Sequence, residues 1–338
     1  MTRSNAASVC IVGAGSMGIV TGYHLSLAGA DVTFLVRPHR EEQLTRPQKL
    51  YSFDDDGLNT YTGYELLTDP AGLAGSSFDF VLVTLDGAAL RAEAGQKVVD
   101  EIGRAFRGTS TAVILGSVGI DLRTWFLERS GLADDQVTNG GLGMWAYEAG
   151  RADMPLHDGV SADLLAQADY GYRHLSPAGF VVDLSAPQVA HEFAALYNNN
   201  GVSHCAELPI DAYKLIVSVS PASLAWELLD WPAATDIDTT DETWQLGVEA
   251  VKEFRRLSVF GSAGIAASEE TTAENVLEVF RQAERAALPM DATAFMAYHH
   301  GSKLAGQGNE VLDEAVRRGE TEGAEMPALR ALLKKLPH

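Results

Sequence analysis

Val9-Cys10-Ile11-Val12-Gly13-Ala14-Gly15-Ser16-Met17-Gly18 is the stretch whose reading decides the fold. Four apolar residues run straight into G-x-G-x-x-G. A helical pattern follows from Ile19 to Ala30, then a second apolar run, Val32-Thr33-Phe34-Leu35-Val36. Strand, glycine turn, helix and strand in that order are the context a dinucleotide fingerprint needs. Gly13 permits the tight turn. Gly15 lets a pyrophosphate approach the backbone, and Gly18 lets the helix pack closely on the strand. Ser16 and Met17 open the helix, whose first N–H groups carry a partial positive charge that suits a diphosphate. The alternative is a glycine turn used only for packing.

The tip of the second strand separates NAD from NADP. An NAD site ends this strand with Asp or Glu for the ribose hydroxyls. Here it ends Leu35-Val36-Arg37-Pro38-His39-Arg40, with no acid. A guanidinium suits a phosphate dianion through charge-assisted hydrogen bonds. Arg37 reads as the 2′-phosphate ligand, supported by Arg40 or His39, and the cofactor as NADPH/NADP+. The alternative is a solvated arginine at a strand end. A basic tip stands out in a chain of formal charge -21.

The 338 residues suffice for two domains. No apolar run approaches the ~20 residues of a membrane span. The N-terminus leads almost directly into the first strand, so no signal peptide is expected and the location reads as cytoplasmic. Cys10 and Cys205 offer neither metal spacing nor a disulfide framework, and no metal is expected. Acids outnumber bases 46 to 25, which argues against nucleic acid and anionic membranes as partners.

Further along, Leu50–Phe53 and Leu58–Thr62 around a D-G turn read as a hairpin. Phe78–Leu85 and Ala112–Leu115 read as strands buried on both faces, with a long helix from Ala88 to Phe106 between them. Ligands bind beyond the carboxyl ends of such strands, so Thr84, Leu85 and Gly116 should border the nicotinamide; ordinary loops are the alternative. Val137–Tyr147 and Gly179–Leu184 read as strands extending the sheet, and the segment between them is Gly- and Asp-rich, with no pattern that places it. Val202–Cys205 is a last short strand. Beyond it every pattern is helical: Ile210–Leu229 with a break at Pro221, Thr243–Phe260, Ala273–Ala287, Asp291–Lys303, Asn309–Glu320 and Met326–Lys335. The expected architecture is α/β plus all-α: a doubly wound, Rossmann-like NADP-binding domain over 1–207 and an all-helical substrate and dimerisation domain over 208–338.

The helical half must supply a proton donor. Lys214, in Asp211-Ala212-Tyr213-Lys214-Leu215-Ile216-Val217-Ser218, has mostly apolar neighbours. Partial burial would suit it to general acid work, with Ser218 one turn on; a lysine snorkelling to solvent is the alternative. Tyr298, His299 and His300 sit together, and His299 reads as either a substrate contact or a surface histidine. Trp226, Trp231 and Trp244 read as core or dimer contacts.

The chain resembles the ketopantoate reductase family, whose members reduce 2-dehydropantoate with NADPH. The resemblance rests on Gly13–Gly18, Arg37, the D-G hairpin, Val83-Thr84-Leu85, Lys214, and the stretch from Gln307 through Asn309 to Pro327. It implies that Lys214 is the general acid protonating the carbonyl oxygen, that the substrate is a small molecule, and that Ser218 and Gln307 orient it. It also implies departures. The family's second lysine is Asp86 here, its N-G asparagine is Gly116 beside Ser117, and its later asparagines are Ser218 and Ala222. Its Ser and Glu near the end are Phe295 and Gln307. Those losses point away from 2-dehydropantoate, toward a less anionic, bulkier or aromatic carbonyl, or an imine. A homodimer is expected. The rival readings are an NADPH-binding regulatory protein without turnover and an opine-type dehydrogenase.

Overall fold

The computed structural model describes residues 6–117, 119–303 and 305–336, and the side chains of 302–309 lie outside the description. Two compact units divide the chain. One holds residues up to 152 and 158–208; the other holds 153–157 and the residues from 209 onward.

The first unit contains two sheets. The strands are β1 (Ser8–Val12), β2 (Asp31–Leu35), β3 (Gln48–Ser52), β4 (Gly57–Tyr61), β5 (Glu65–Leu67), β6 (Phe80–Val83), β7 (Ala112–Leu115), β8 (Val137–Leu142), β9 (Met144–Glu148), β10 (Tyr170–His174), β11 (Ala178–Asp183) and β12 (His204–Leu208). The larger sheet runs β12-β11-β8-β7-β6-β1-β2-β5, and only the β8–β11 pair is antiparallel. Alternation in β1 shows how it is covered. Val9 and Ile11 enter the core on one face, while Cys10 and Val12 enter the core on the other. Both faces are dry, so the strand reads as an unbroken apolar run. Burial pushes the Cys10 thiol up to about 12, which leaves it an inert apolar filler.

The helices of this unit are α1 (Ser16–Leu27), α2 (Glu41–Leu44), α3 (Gly87–Arg91), α4 (Glu93–Phe106), α5 (Leu122–Ser130), α6 (Ala162–Leu165) and α7 (Pro187–Tyr197). The expected helix over Ala88–Phe106 is two, because Ala92 between α3 and α4 is extended. The expected helix after Arg40 is a single turn, α2.

The smaller sheet, β4-β3-β10-β9, holds the hairpin β3–β4, which forms as read, and corrects one expectation. Val137–Tyr147 is not one strand. It breaks at Gly143, whose N–H donates to the Gly179 carbonyl at 2.9 Å. A Cβ at 143 would lie 2.1 Å from the Ala178 carbonyl oxygen, so glycine alone lets the chain turn from one sheet to the other. Its second half, β9, pairs with β10, a strand inside the Gly- and Asp-rich segment.

A run of polar side chains ties the two sheets together. Asp54 accepts from His174 Nδ1 at 2.6 Å, from Arg173 Nη1 at 2.8 Å and from the His174 N–H at 3.2 Å. With the proton held on Nδ1, His174 Nε2 accepts from the Ser203 hydroxyl at 2.8 Å. Ser203 in turn accepts from Tyr197 at 3.1 Å, and Tyr197 accepts from His24 Nδ1 at 2.7 Å. Burial lowers the pKa of His24 to about 3, so its ring is neutral. For Asp54, burial works against the charge, but the His174 hydrogen bonds and the Arg173 guanidinium outweigh this and hold the carboxyl below its ordinary range. Its contribution is therefore complete above the unfolded carboxylate pKa and lost as pH falls through the lower folded value. Asp54→Ala is expected to cost about 1–3 kcal/mol at neutral pH, and the deficit should shrink toward pH 2 in denaturant titrations.

The second unit is helical throughout its long segment: α8 (Ile210–Val217), α9 (Ser220–Leu228), α10 (Glu242–Arg255), α11 (Gly261–Glu269), α12 (Ala273–Ala287), α13 (Ala292–Tyr298), α14 (Ala305–Glu322) and α15 (Pro327–Leu333). Pro221 sits in the first turn of α9, where its missing N–H costs nothing, so the expected break is a clean start. The pattern read through to Phe260 stops at Arg255, and α11 is an additional helix. After α13 the coil widens to a π turn over His299–Lys303. Among the described residues no helix is long and apolar enough to cross a membrane.

Candidate functional site

The glycine motif sits at the carboxyl end of β1, where β2 lies on one side and β6 on the other. That is the switch point of a doubly wound sheet. Gly13 has φ +102°, and its N–H donates to the Leu35 carbonyl at 2.9 Å. A Cβ at 18 would lie 2.3 Å from the Gly13 carbonyl oxygen, so α1 can pack on β1 only with glycine there. Gly15 differs. A Cβ at 15 would meet nothing within 4 Å, so the space in front of it is open. Gly15 is also the N-cap of α1 and supplies no side-chain cap, and no acid lies in the first turn. A helix start without an acid suits an anion.

The loops after β6 and β7 meet the same place. The Thr84 hydroxyl donates to the Val12 carbonyl at 2.9 Å and lies 3.2 Å from that of Gly13, which holds the glycine turn. Leu85 is half-buried beside it. A Cβ at 116 would meet the Val83 carbonyl oxygen and Met17 Cε, so Gly116 closes the floor between β6 and α1. Ser117 donates to the Leu85 carbonyl. Asp86 caps α3 by accepting from the Ala89 N–H at 2.7 Å. This gives the carboxylate a structural task at the position where the family resemblance has a lysine.

At the end of β2, Arg37 is exposed. Among the described residues it forms no ion pair, although Glu41 and Glu42 follow closely in sequence. Arg40 reaches inward, donating from Nη2 to the Ala14 carbonyl at 3.0 Å and to the Tyr170 hydroxyl at 3.4 Å. Sequence reasoning placed Arg40 at the strand tip; that it grasps the glycine loop itself required knowing where Tyr170 and β10 lie. Gly13, Gly15, Ser16, Met17, Gly18, Arg37, Thr84, Leu85 and Gly116 thus all belong to one rim of the large sheet.

The other predicted residues lie in the second unit. Lys214, on α8, is half-buried, and its Nζ donates to the Val259 carbonyl at 3.3 Å. Ser218 caps the end of that helix and is fully buried. Its hydroxyl donates to the Leu215 carbonyl at 2.7 Å and accepts from Arg255 Nε at 2.9 Å. The side chain of Gln307 lies outside the described residues. His299 stacks on Phe295 at 5.1 Å, and His300 on Trp231 at 6.3 Å. Burial lowers the His300 pKa to about 4, so it is neutral at physiological pH. Trp226 and Trp244 are core residues. Among the described residues no three His, Cys, Asp or Glu side chains gather as a metal site.

Comparison with known proteins agrees with this geometry. Residues 9–100 match the family model described as ketopantoate reductase PanE/ApbA. No curated protein matches significantly in sequence. Among solved structures, 2-dehydropantoate 2-reductase from Geobacter metallireducens GS-15 is similar over 97% of this chain and 98% of its own, with TM-score 0.66 and 18% identity. The enzyme of the same name from Methylococcus capsulatus covers 98% of each chain, with TM-score 0.63 and 18% identity. D-mandelate dehydrogenase, solved with NADH and anilino(oxo)acetate, covers 97% of this chain and 96% of its own, with TM-score 0.64 and 13% identity. At these identities the structural likeness speaks for the fold, and the family model speaks for the dinucleotide-binding segment. Residues 9–100 thus match the ketopantoate reductase family model, and the whole chain shares the fold of these solved reductases and dehydrogenases.

Proposed function

We propose that the chain is an NADPH-dependent reductase that delivers hydride to the carbonyl carbon of a small molecule while Lys214 protonates the oxygen. The observation that carries this reading is an open glycine loop combined with an unpaired arginine at the tip of β2. Gly13, Gly15, Ser16, Met17 and Gly18 would cradle the diphosphate, Arg37 would take the 2′-phosphate, and Thr84, Leu85 and Gly116 would border the nicotinamide. Bound NADPH supplies the hydride. Lys214 Nζ, now resting on a backbone carbonyl, supplies the proton. The substrate is a 2-oxo acid or related ketone. The carboxylate of Asp86 beside the cofactor loops disfavours strongly anionic substrates and leaves bulkier ketones and imines in contention. We expect the assembly to be a homodimer in the cytoplasm.

Arg37→Ala tests the cofactor assignment. Loss of charge-assisted bonds to a dianion is expected to weaken NADPH ~10–100-fold, while NADH affinity stays level in fluorescence titrations. Equal weakening of both would put the phosphate elsewhere. The activity is tested by absorbance-monitored NADPH oxidation over a panel of 2-oxo acids, other ketones and imines. A second reading, an NADPH-binding regulator, draws support from Asp86 and Ser218, both already engaged inside the fold. Tight NADPH binding without oxidation of any panel member would favour it.

A further inference from the structure

Arg255 closes α10 and sits half-buried in a chain of net charge -21, yet forms no ion pair among the described residues. Neutral groups hold it instead. Nε donates to Ser218 Oγ at 2.9 Å, and Nη1 donates to Thr271 Oγ1 at 2.7 Å and to the Ala267 carbonyl at 3.2 Å. Both acceptor side chains are themselves fixed: Ser218 donates to Leu215 and Thr271 to Ala267. The fork is therefore locked in one orientation, and among the described residues Nη2 has no acceptor. Burial pushes the guanidinium below its ordinary pKa, a sign that its charge is poorly compensated.

The guanidinium lines a pocket of about 210 Å³. Val219, Val276 and Val279 form apolar walls, and the Asn275 amide, which spends one N–H on the Glu270 carbonyl at 3.0 Å, adds a polar edge. A half-buried cation without a counter-ion is costly, and an anion entering the pocket would relieve that cost. The apolar walls favour an anion that carries a hydrocarbon tail. Glu270 also lines the pocket, is exposed, and makes no ion pair with Arg255. Its charge opposes multiply charged anions such as phosphate more than a monoanion.

We propose that this pocket, walled by α12, the end of α11 and the residue that opens α9, binds a small aliphatic carboxylate, with the carboxylate on Arg255 Nη2 and the tail against the valines. The site is built entirely within the second unit, and it stands whether or not the reductase reading holds.

The test uses the whole chain without dinucleotide, titrated calorimetrically with isovalerate in chloride buffer. Saturable binding with Kd ~1 mM is expected. Isovaleramide, which has the same shape without charge, should bind at least ~10-fold more weakly, because charge-assisted bonds are lost. Arg255→Gln should weaken isovalerate to a similar degree. Glu270→Gln, which removes the competing carboxylate and leaves the guanidinium in place, should tighten it severalfold. Absence of saturable binding, equal affinity for the amide, or unchanged affinity in folded Arg255→Gln would each overturn the proposal. If Arg255→Gln does not fold, the acid–amide comparison and Glu270→Gln still decide.

Discussion

Replacing Lys214 with alanine is expected to lower turnover ~10²–10⁴-fold, the range a positioned general acid contributes, while NADPH affinity stays unchanged. The expectation follows from the separation of roles. The glycine loop, Arg37 and the loops after β6 and β7 lie in the first unit, whereas Lys214 is on α8 in the second. Lys214→Arg makes the test sharper. Arginine keeps the positive charge, but its pKa is too high to release a proton near neutrality. If the lysine acts as an acid, Lys214→Arg should be nearly as slow as Lys214→Ala. Recovery of most activity by arginine would mean that charge alone matters. Full activity in both variants would remove Lys214 from the mechanism.

Gly18→Ala is the second large effect. The added carbon would lie 2.3 Å from the Gly13 carbonyl oxygen and 3.1 Å from Thr84 Oγ1. Both are held: Gly13 by its bond to Leu35, and Thr84 by its bonds to Val12 and Gly13. Neither can yield without disturbing β2 or β6, so α1 must lift off the sheet. Forced overpacking of this kind costs about 3 kcal/mol, and it moves the N–H groups meant for the diphosphate. Thermal unfolding and dinucleotide titration should show both losses together. Gly15→Ala makes the control, since its added carbon meets no protein atom. It should keep its stability and lose only affinity. Unchanged stability and affinity in Gly18→Ala would refute the packing argument.

How far the fold could be read from the chain depended on where each segment finds its partners. β1, β6 and β7 are buried on both faces and announce themselves as apolar runs. The glycine motif is equally legible, because its constraints act within ten residues. β10 was missed. Tyr170-Gly171-Tyr172-Arg173-His174 becomes a strand only by pairing with β3 and β9, and β3 lies about 120 residues earlier. α11 contains two glycines and a scatter of alanine and serine, so no apolar stripe marks it. The same logic separates the sites. Arg37 could be read from its position after β2, but the setting of Arg255 could not. Its neighbours come from Ser218, Ala267 and Thr271, which the fold brings together and the sequence keeps apart.

The line of side chains from Asp54 to His24 has one more consequence. It joins the β3–β4 turn, β10, the residue before β12, α7 and α1, segments spread over nearly the whole first unit. A small four-stranded ribbon held only by its own ladder would open locally, and its amides would exchange with solvent early. Here β10 and the β3–β4 turn cannot peel away without stranding a buried imidazole or phenol, so amide protons of these segments should be released together with those of the large sheet.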